Sequence, residues 1–554
     1  MCGLIVVVHK KEKIFSSERV SEALQLMKHR GPDGSKVIEN GAVIIGNNRL
    51  AIYDLTDRAA LPLERGPETL ALNGSIFNYL NLNRLWMKDV SKAESKSDAE
   101  VLIPILRTND PSKLVEVDGM YAIIYHDHDR HRLIITRDRL GIKPLYEYED
   151  ERVIVYSSEI KPMLNLLLPF ISFNNTAIQS YLLSESSDTL TSVYFNEISD
   201  FPPGGYKTMD LRNGNSNLDF IPAFKPTDEA TPDSIKSMLI QSLQLRSTAD
   251  WPISMSYSGG IDSSILSEID AKYIKNLGSR FRIGTNKSRI PIEDDQIVDI
   301  TVSQIQKPIL EQVAALHARP VETISVVYQY LLYQRMNAAG YRVSISGQGA
   351  DELFFGYDAH RVSLMRSFIQ EKKWGKFISF GIRLLLCNPS LFKKILKRLT
   401  RLRSKSQSKI IDLLGKDRFT APLASLLEYE DINGMGHGVE VRHPYIHGPL
   451  IEAMLGVSPE VAISPCQRKP ILVNSLYRKV PHSFRMGAKD SFLSEIYPKG
   501  WWETEEIHSL LRWAKTYLTA LDFETDTHTD LGKYRIIMGA LWHKHYSLYI
   551  KSDL

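Results

Sequence analysis

The sequence predicts two domains of different fold class: stacked antiparallel sheets first, then an α/β domain with a parallel sheet. Short strand-like runs bounded by turn residues dominate residues 1–200. Beyond residue 225, helix-like segments alternate with short apolar runs, a pattern typical of parallel sheets. The polar Gly/Asn-rich stretch 209–217 lies between these parts and is interpreted as a linker. We therefore expect domains at 1–211 and 225–554.

The individual elements support this division. The N-terminal part has one helix-like segment, SSERVSEALQLMKHR, whose apolar residues recur at the spacing of one helical face. In the C-terminal part, PDSIKSMLIQSLQLRS and YQYLLYQRMNAAG are helix-like, and PISMSYS and RVSISG are strand-like. The strand-like runs of the N-terminal part are GLIVVV, AVIIG, RLAIYD, TLALNG, MYAIIYHD, RLIITRD and RVIVYSS.

Composition excludes several classes of protein. The 554 residues carry a formal net charge of +3, which implies no global attraction to nucleic acid or to membranes. The apolar runs are too short for a signal sequence or a membrane span. Three cysteines make neither a disulfide framework nor a zinc cluster, and Cys387 and Cys466 are interpreted as buried or incidental. We expect a reducing, cytoplasmic setting.

One basic segment, 371–409, stands apart. It contains FKKILKRLTRLRSKSQSK, in which Ile395, Leu396, Leu399 and Leu402 share a helical face. Two interpretations stay open: a solvated cover helix with a narrow buried stripe, or a basic surface for an acidic substrate, a carrier or a membrane.

The string SYSGGIDSS (256–264) predicts a phosphate-binding loop. A strand-like run ends at Tyr257, and Gly259 and Gly260 let the backbone approach a ligand closely. The helix-like run that follows offers N–H groups to an anion. Asp262 would repel a bare phosphate, so its presence implies a bound cation, most simply Mg²⁺. The hydroxyl donors to phosphate are Ser258, Ser263 and Ser264.

A second string, RVSISGQGADELFFGY (342–357), repeats the order of strand, glycine turn and acids. Asp351 and Glu352 are candidate metal ligands, and Ser346 with Gly347 could bring backbone groups to a nucleotide. The string SGGIDSS resembles the pyrophosphate loop of the ATP pyrophosphatases, which cleave ATP to AMP and pyrophosphate.

Cys2 has two interpretations. It could be a small buried residue, or it could become the first residue after removal of Met1. In the second case one residue would carry a thiol and an α-amine, which is a nucleophile with its own base.

Taken together, the motifs resemble those of the glutamine-dependent asparagine synthetase family of the bacterial B type, in family order over nearly the whole chain. They are MCG (1–3), HRGPDG (29–34), NNRLAIYDL (47–55), LNGSIFN (72–78), SDAEV (97–101), VDGMYAIIYHD (117–127), RDRLGIKPLY (137–146), SSEIK (157–161), PPGGY (202–206), SGGIDSS (258–264), SGQGADE (346–352), GVEVRHPYI (438–446), QRKPIL (467–472) and KDSF (489–492).

The resemblance implies an αββα Ntn-hydrolase sandwich of the class II glutamine amidotransferases, followed by an ATP-pyrophosphatase domain with a helical extension. It implies Cys2 as the nucleophile, with Asn73 and the Gly74 N–H as oxyanion donors. Arg49 and Asp98 would bind the α-carboxylate and the α-ammonium of glutamine. The full implied glutamine-binding set is Arg49, Leu50, Ala51, Ile52, Tyr53, Asn73, Gly74, Ser75 and Asp98.

For the second domain, the resemblance implies ATP and Mg²⁺ as cofactors. Lys469 would stabilise charge on the phosphates or the adenylate, and Ile283 would contact adenine through its backbone. Asp262 and Asp351 would be the metal ligands. The implied ATP-binding set is Tyr257, Ser258, Gly259, Gly260, Asp262, Ser263, Ser264, Ile283, Ser346 and Gly347.

The departures from the family pattern concern the acceptor carboxylate. Gln348 stands at the intermediate-forming position where many asparagine synthetases have glutamate, PYIH ends at His447 where the family has P-F-L-D, and Arg485 is displaced. We expect glutamine, ATP and a carboxylate as substrates, a homodimer, and no nucleic acid or membrane insertion. The acceptor is aspartate, or else a sugar acid, peptide or natural-product intermediate. A lactam-synthetase-like cyclase and a non-catalytic relative are the further alternatives, and Cys2 and the intact phosphate loop argue against them.

Overall fold

The computed structural model describes residues 2–87, 95–168, 170–184, 194–228, 230–284, 295–299, 304–401, 421–476, 497–498 and 500–550. The N-terminal strands are β1 (Cys2–His9), β2 (Gly34–Asn40), β3 (Val43–Arg49), β4 (Leu63–Arg65), β5 (Glu68–Ile76), β6 (Gly119–Asp127), β7 (Arg132–Arg137), β8 (Tyr146–Glu149), β9 (Val153–Ser157), β10 (Ile198–Asp200), β11 (Gly205–Asp210) and β12 (Ser216–Phe220). The helices of this domain are α1 (Ser17–Gln25), α2 (Tyr79–Trp86), α3 (Leu102–Arg107), α4 (Ile160–Leu167) and α5 (Asn175–Leu183).

These strands form two antiparallel sheets, each of six strands within the described residues. The orders are β10-β8-β9-β1-β3-β2 and β12-β11-β7-β6-β5-β4. Leu4 and Val6 of β1 pack between the sheets against Ile124. Ile5 and Val7 point the other way, into a core shared with α1 and α4. Both faces of β1 are covered, which explains why its run of apolar residues is uninterrupted. The two stacked sheets with helices packed on them confirm the predicted αββα sandwich.

The linker predicted at 209–217 is wrong. These residues form a hairpin in which β11 pairs with β12, with Thr208 opposite Asn217. The Asn213-Gly214 pair lies in its turn, where Gly214 has a φ of +73°. A polar Asn/Gly stretch suits a tight hairpin as well as a linker, and composition alone does not separate the two. The domain bounds 1–211 and 225–554 stay predictions.

The second domain is the expected parallel α/β sheet. Its strands are β13 (Ile253–Ser256), β14 (Leu277–Gly284), β15 (Asp295–Asp299), β16 (Val343–Ile345) and β17 (Glu440–Arg442), in the order β15-β14-β13-β16-β17. All four strand pairings are parallel in the described part of the chain. One face packs Met255 and Ile345 against Leu239. The other face packs Phe281 against Val327, so helices cover both sides.

The helices of this part include the extension beyond the sheet. They are α6 (Pro232–Arg246), α7 (Ile261–Ile269), α8 (Lys307–Leu316), α9 (Ile324–Ala338), α10 (Ala350–Leu353), α11 (Asp358–Gln370), α12 (Trp374–Cys387), α13 (Pro389–Arg401), α14 (Ala421–Gly436), α15 (Gly448–Gly456), α16 (Pro459–Ala462), α17 (Pro470–Leu476), α18 (Glu505–Thr519) and α19 (Asp530–Ser547). Among the described residues, we find no helix that combines the length and the hydropathy needed to cross a bilayer.

The interpretation of Cys387 and Cys466 as incidental is wrong. The two form a disulfide, with their Cα atoms 5.4 Å apart. They are separated by 79 residues in sequence. They meet because the end of α12 packs beside the loop that precedes α17, a contact that cysteine spacing does not encode.

Candidate active sites

The first site is built around Cys2. Cys2 begins β1, pairs in register with Arg49 on β3, and is 2% exposed. Its backbone N–H donates to Asn73 Oδ1 at 3.4 Å. Burial raises the pKa of the Cys2 thiol. A thiol held neutral in this way needs a proton acceptor close by before it can attack a substrate.

Asn73 and Gly74, the predicted oxyanion donors, lie on β5 next to Cys2. Asn73 is fully buried, and its Nδ2 donor has no hydrogen-bond partner among the described residues. A buried N–H₂ without a partner is costly unless a ligand accepts from it. At Gly74, a Cβ would lie 2.0 Å from the Met120 carbonyl oxygen, so only glycine fits.

A small cleft opens beside Cys2. Asp98 contributes a carboxylate at its wall, and burial raises the pKa of Asp98 to about 6. The Ile76 N–H donates to Asp98 Oδ2 at 2.7 Å and holds this carboxylate in place. The predicted residues that line the cleft are Cys2, Arg49, Leu50, Ile52, Tyr53, Gly74, Ser75 and Asp98.

Two predicted glutamine-binding residues have other contacts. Arg49 uses its guanidinium to donate to the carbonyl of Thr56 at 2.8 Å and to that of Tyr53 at 3.3 Å, so it braces the turn after β3. Ala51 does not line the cleft. Its N–H donates to Asp33 at 2.8 Å, and its carbonyl accepts from Trp251 at 2.9 Å.

The second site lies at the carboxyl edge of the parallel sheet, where open α/β sheets bind ligands. Hydrogen bonds between hydroxyl groups join the loop after β13 to the start of α7. Ser258 Oγ and Ser263 Oγ are 3.1 Å apart, and the hydroxyls of Tyr257 and Ser264 share a hydrogen bond of 3.1 Å. Gly259 has a φ of +69°, which glycine adopts without strain. Gly260 caps α7, whose first N–H groups therefore face this loop.

The SGQG loop lies against the SGGIDSS loop. A Cβ on Gly347 would lie 3.3 Å from the Asp262 Cβ, so the two loops are in direct contact. Ser346 follows β16 and donates its N–H to the Arg442 carbonyl at 2.9 Å, while its Oγ accepts from the Gln348 N–H at 3.3 Å. Ile283 is buried on β14, the parallel neighbour of β13.

Lys469 joins the two loops. Its Nζ donates to Asp262 Oδ1 at 2.5 Å and lies 2.8 Å from Asp351 Oδ1, and the residue is 4% exposed. Burial lowers the pKa of this ammonium, but the two carboxylates outweigh it, so the pKa of Lys469 is raised. Sequence reasoning missed Gly356, where a Cβ would lie 1.9 Å from Asp351 Oδ1 and 2.4 Å from Lys469 Cε.

The convergence of Asp262 and Asp351 also tests the expected metal. Mg²⁺ in nucleotide sites is usually held by one or two carboxylates together with phosphate oxygens and water. Asp262 and Asp351 fit that donor set, because both carboxylates already contact the ammonium of Lys469 and lie beside the predicted phosphate loop.

A set of buried polar contacts connects the two sites. Ser75 Oγ, in the wall of the Cys2 cleft, donates to Glu440 Oε2 at 2.8 Å, and Arg442 Nε donates to Glu440 Oε1 at 2.5 Å. The backbone carbonyl of Arg442 in turn accepts a hydrogen bond from the N–H of Ser346, a residue of the second site. Sequence reasoning quoted GVEVRHPYI as a motif but assigned no role to Glu440 or Arg442. Their charges within a strand-like apolar run were the available signal.

Ion pairs between the domains surround these contacts. Asp431 accepts from Arg30 and from Lys143, each at 2.7 Å, and all three side chains are fully buried or nearly so. Asp118 pairs with Arg246 at 2.8 Å and with His447 at 3.0 Å. His447, noted above as a departure in the acceptor motif, therefore contacts the N-terminal domain. The segment with Arg485 and KDSF lies outside the described residues.

Comparisons with known proteins agree with this arrangement. Residues 1–219 match a family model described as a glutamine amidotransferase domain, and residues 234–525 match the model described as asparagine synthase. The glutamine-hydrolysing asparagine synthetase B of Escherichia coli is 27% identical, and the match covers 64% of this chain and 65% of that protein. Asparagine synthetase 3 of Bacillus subtilis is 23% identical over 96% of this chain and 92% of its own length.

A third relative has a different name. Amidase chry2 of Gibberella zeae is 26% identical, and the match covers 65% of this chain and 60% of that protein. The matched part thus spans less than two thirds of both the Escherichia coli and the Gibberella zeae relatives. The two domain matches define the class, a glutamine amidotransferase domain followed by an asparagine synthase domain. The chain belongs to the asparagine synthase family.

Proposed function

We propose that this protein is a glutamine-dependent ligase that releases ammonia at Cys2 and transfers it to a carboxylate activated by ATP. The observation that carries the proposal is the Cys2 site: a buried thiol on β1, an unpartnered Asn73 Nδ2 donor beside it, and the Asp98 carboxylate in the same cleft. This constellation matches the needs of amide hydrolysis, which are a nucleophile, oxyanion donors and a group that orients the substrate.

In the glutaminase half, removal of Met1 would place an α-amine on Cys2, with a reference pKa near 8. That amine takes the thiol proton, and the sulfur attacks the side-chain carbonyl of glutamine. Asn73 Nδ2 and the Gly74 N–H would donate to the oxyanion, a contribution worth roughly 10²–10³ in rate per donor. The carbon–nitrogen bond breaks with proton transfer to nitrogen, ammonia leaves, and water hydrolyses the thioester to glutamate.

In the synthetase half, the acceptor carboxylate attacks the α-phosphorus of ATP, giving an acyl-adenylate and pyrophosphate. The SGGIDSS loop would hold the phosphates through its N–H groups and hydroxyls, and Ile283 would lie against adenine. The Lys469 ammonium would give up part of its contact with Asp262 and Asp351 and donate instead to phosphate oxygens, whose negative charge it would neutralise. Mg²⁺, held by Asp262 and Asp351, would supply further charge neutralisation when bound. Ammonia then displaces AMP and forms the amide.

The acceptor is aspartate in the first form of this proposal. Gln348 favours a second form, because its neutral side-chain amide stands where a glutamate is expected beside the predicted nucleotide loops. The backbone N–H of Gln348 donates to Ser346 Oγ at 3.3 Å. Under the second form the acceptor is a sugar acid, a peptide or a natural-product intermediate. The relatives include proteins named as asparagine synthetases and two named as amidases, so their names do not point to a single substrate.

A pyrophosphate-release screen tests the proposal. Purified protein is supplied with glutamine, ATP and Mg²⁺, and with aspartate or one member of each other carboxylate class. Glutamate release and pyrophosphate release in a ratio near one with a single acceptor support it. Glutaminase activity without pyrophosphate release for any acceptor would contradict the synthetase half. Chelation with EDTA, followed by addition of Mg²⁺, tests the metal in the same assay.

The cellular setting belongs to the same proposal. We propose a cytoplasmic homodimer; three cysteines are few for an oxidising compartment, whereas the Cys387–Cys466 disulfide weighs against a cytoplasmic setting. Sedimentation velocity measures the oligomeric state. Thiol labelling of Cys387 and Cys466 in freshly lysed cells reports whether their disulfide is formed there.

A further inference from the structure

Helices α12 and α13 carry an exposed surface that the proposed reaction does not use; we refer to it as the α12–α13 surface. Five large apolar side chains of α12 are exposed and recur at helical spacing, so they form one stripe. They are Trp374 (54% exposed), Ile378 (55%), Ile382 (54%), Leu385 (41%) and Leu386 (77%). Leu396 of α13 is also exposed, at 45%.

This stripe is not the face by which α12 joins the fold. Phe380 and Leu384 point elsewhere on the helix and are buried in a small core with Phe368 of α11. On α13, Leu391 and Ile395 enter the same core. The two helices therefore have a core-facing side that is satisfied and a second apolar side, on α12, that faces outward.

The charge of the two helices has a single sign. Residues 374–401 contain no aspartate or glutamate, and their cations are Lys376, Arg383, Lys393, Lys394, Lys397, Arg398 and Arg401. Arg383, Lys393 and Lys397 are exposed. Among these cations, Lys376 pairs with Glu460 at 2.5 Å, and Lys394 lies 4.0 Å from Asp358.

We propose that the α12–α13 surface binds the surface of an anionic phospholipid membrane. Such a surface matches both features at once, because its acyl boundary accepts the aliphatic stripe and its headgroup phosphates attract the lysines and arginines. A second copy of this chain is a poorer match, since a two-fold contact would bring the two sets of cations together. An acidic soluble protein would match the cations but leaves the length of the apolar stripe unexplained.

The protein would lie on the membrane rather than cross it. The stripe covers one side of a 14-residue helix, which is shorter than a bilayer-spanning helix. Binding that combines apolar insertion with charge attraction should weaken as salt rises, because the second contribution is screened.

Vesicle flotation of the full chain tests this inference independently of the enzymatic proposal. The vesicles are phosphatidylcholine alone, or phosphatidylcholine mixed with phosphatidylglycerol. We expect the wild-type protein to float with the mixed vesicles, to stay behind with phosphatidylcholine alone, and to dissociate as salt is raised. Failure to float with the mixed vesicles overturns the inference.

Variants separate the two contributions. I378E/I382E should weaken binding at least about tenfold by placing charge in the stripe, and K393E/K397E should weaken it by a similar factor. The controls L85E, at a position 71% exposed in the N-terminal domain, and K11E/K28E, at exposed positions, should float like the wild type. Glutamine hydrolysis by each variant confirms that it is folded.

Two further outcomes count against the inference. Flotation of I378E/I382E at wild-type levels would show that the stripe plays no part. If instead the wild-type protein does not float and I378E/I382E converts a dimer to a monomer in sedimentation velocity, the surface joins two copies of the chain, and the membrane proposal is wrong.

Discussion

The two candidate active sites are built from different kinds of structure. Cys2, Arg49 and Asn73 lie on strands β1, β3 and β5 of antiparallel sheets, where register sets which residues face each other, as Cys2 and Arg49 do. Asp98 is the exception and lies in the segment before α3. The groups of the predicted nucleotide site lie in the loops after β13 and β16, in the first turns of α7 and α10, and just before α17. In a sheet the neighbours of a residue follow from pairing, whereas loops meet through side chains, here through Lys469.

The two sites also differ in how their polar and charged groups are balanced. At the Cys2 site burial dominates: the pKa of the Cys2 thiol is raised, the pKa of Asp98 is raised to about 6, and Asn73 Nδ2 has no described partner. At the nucleotide site, Lys469 and two aspartates satisfy each other. A substrate at the Cys2 site would therefore pair with buried groups, whereas a phosphate at the second site would share the Lys469 ammonium with Asp262 and Asp351.

The largest expected effect separates the two sites outright. C2A should reduce glutamine-dependent amide formation by about 10⁴-fold or more, because the nucleophile is lost. Activity with ammonium salts should remain near the wild-type level, and that activity serves as the control for folding. Amide formation is measured with each nitrogen source in turn. Loss of both activities in a folded variant would show that the sites are not independent.

At the second site, K469M should reduce pyrophosphate release by about 10²–10³-fold, since a charge that stabilises the phosphates is removed. Glutamine hydrolysis, measured as glutamate release, should be spared. K469R keeps the positive charge and should therefore retain more pyrophosphate release than K469M. As a matched control, K36M removes an exposed lysine whose ion pair with Glu64 lies at the surface. Equal loss of both half-reactions in K469M would contradict its assignment to the nucleotide site.

A pH profile sharpens the contrast in burial. The pKa of Asp98 is raised from its usual 3.8 to about 6, and only the ionised form pairs with the ammonium of glutamine. The KM for glutamine should therefore rise as pH falls through 6, by about tenfold per pH unit below it. D98N should have a high KM that no longer depends on pH in this range. A wild-type KM that stays constant down to pH 5 would rule out this role.

The smallest expected effect concerns the contacts between the sites. E440Q keeps the shape of the side chain but weakens the hydrogen bonds that Ser75 and Arg442 donate to it. We expect this to lower the free energy of unfolding by about 1–3 kcal/mol. Each half-reaction should persist, but glutamate formed per amide should rise a few-fold, because the sites are less well aligned. E64Q, at an exposed position, is the matched control. An unchanged ratio of glutamate to amide in E440Q would mean that this contact does not couple the sites.

Much of the site could be predicted because it depends on local chemistry. Ser258, Gly259 and Asp262 lie within one short string, so a phosphate loop can be predicted there without knowledge of the fold, and its binding role stays a prediction. Strand runs such as GLIVVV also predicted their elements, because burial on both faces requires continuous apolar residues. The linker at 209–217 was misread since Asn-Gly turns and linkers share a composition.

What could not be predicted depends on residues far apart in sequence. Ser75 and Glu440 are separated by 365 residues, and Arg30 and Asp431 by 401. Arg49 has the residue type of a carboxylate-binding group, yet its guanidinium braces a turn. Whether a charged side chain faces a ligand or a backbone carbonyl is settled by packing.

The sequence by itself determined the fold class of each half and the family, and it predicted the phosphate loop and the candidate nucleophile, since each rests on periodicity or on short motifs of neighbouring residues. Only the tertiary structure decided that Lys469 lies between Asp262 and Asp351, that Cys387 meets Cys466, and that the apolar stripe of α12 faces outward. The reason is physical. Local chain geometry follows from local sequence, but burial and charge pairing depend on which distant surfaces pack together.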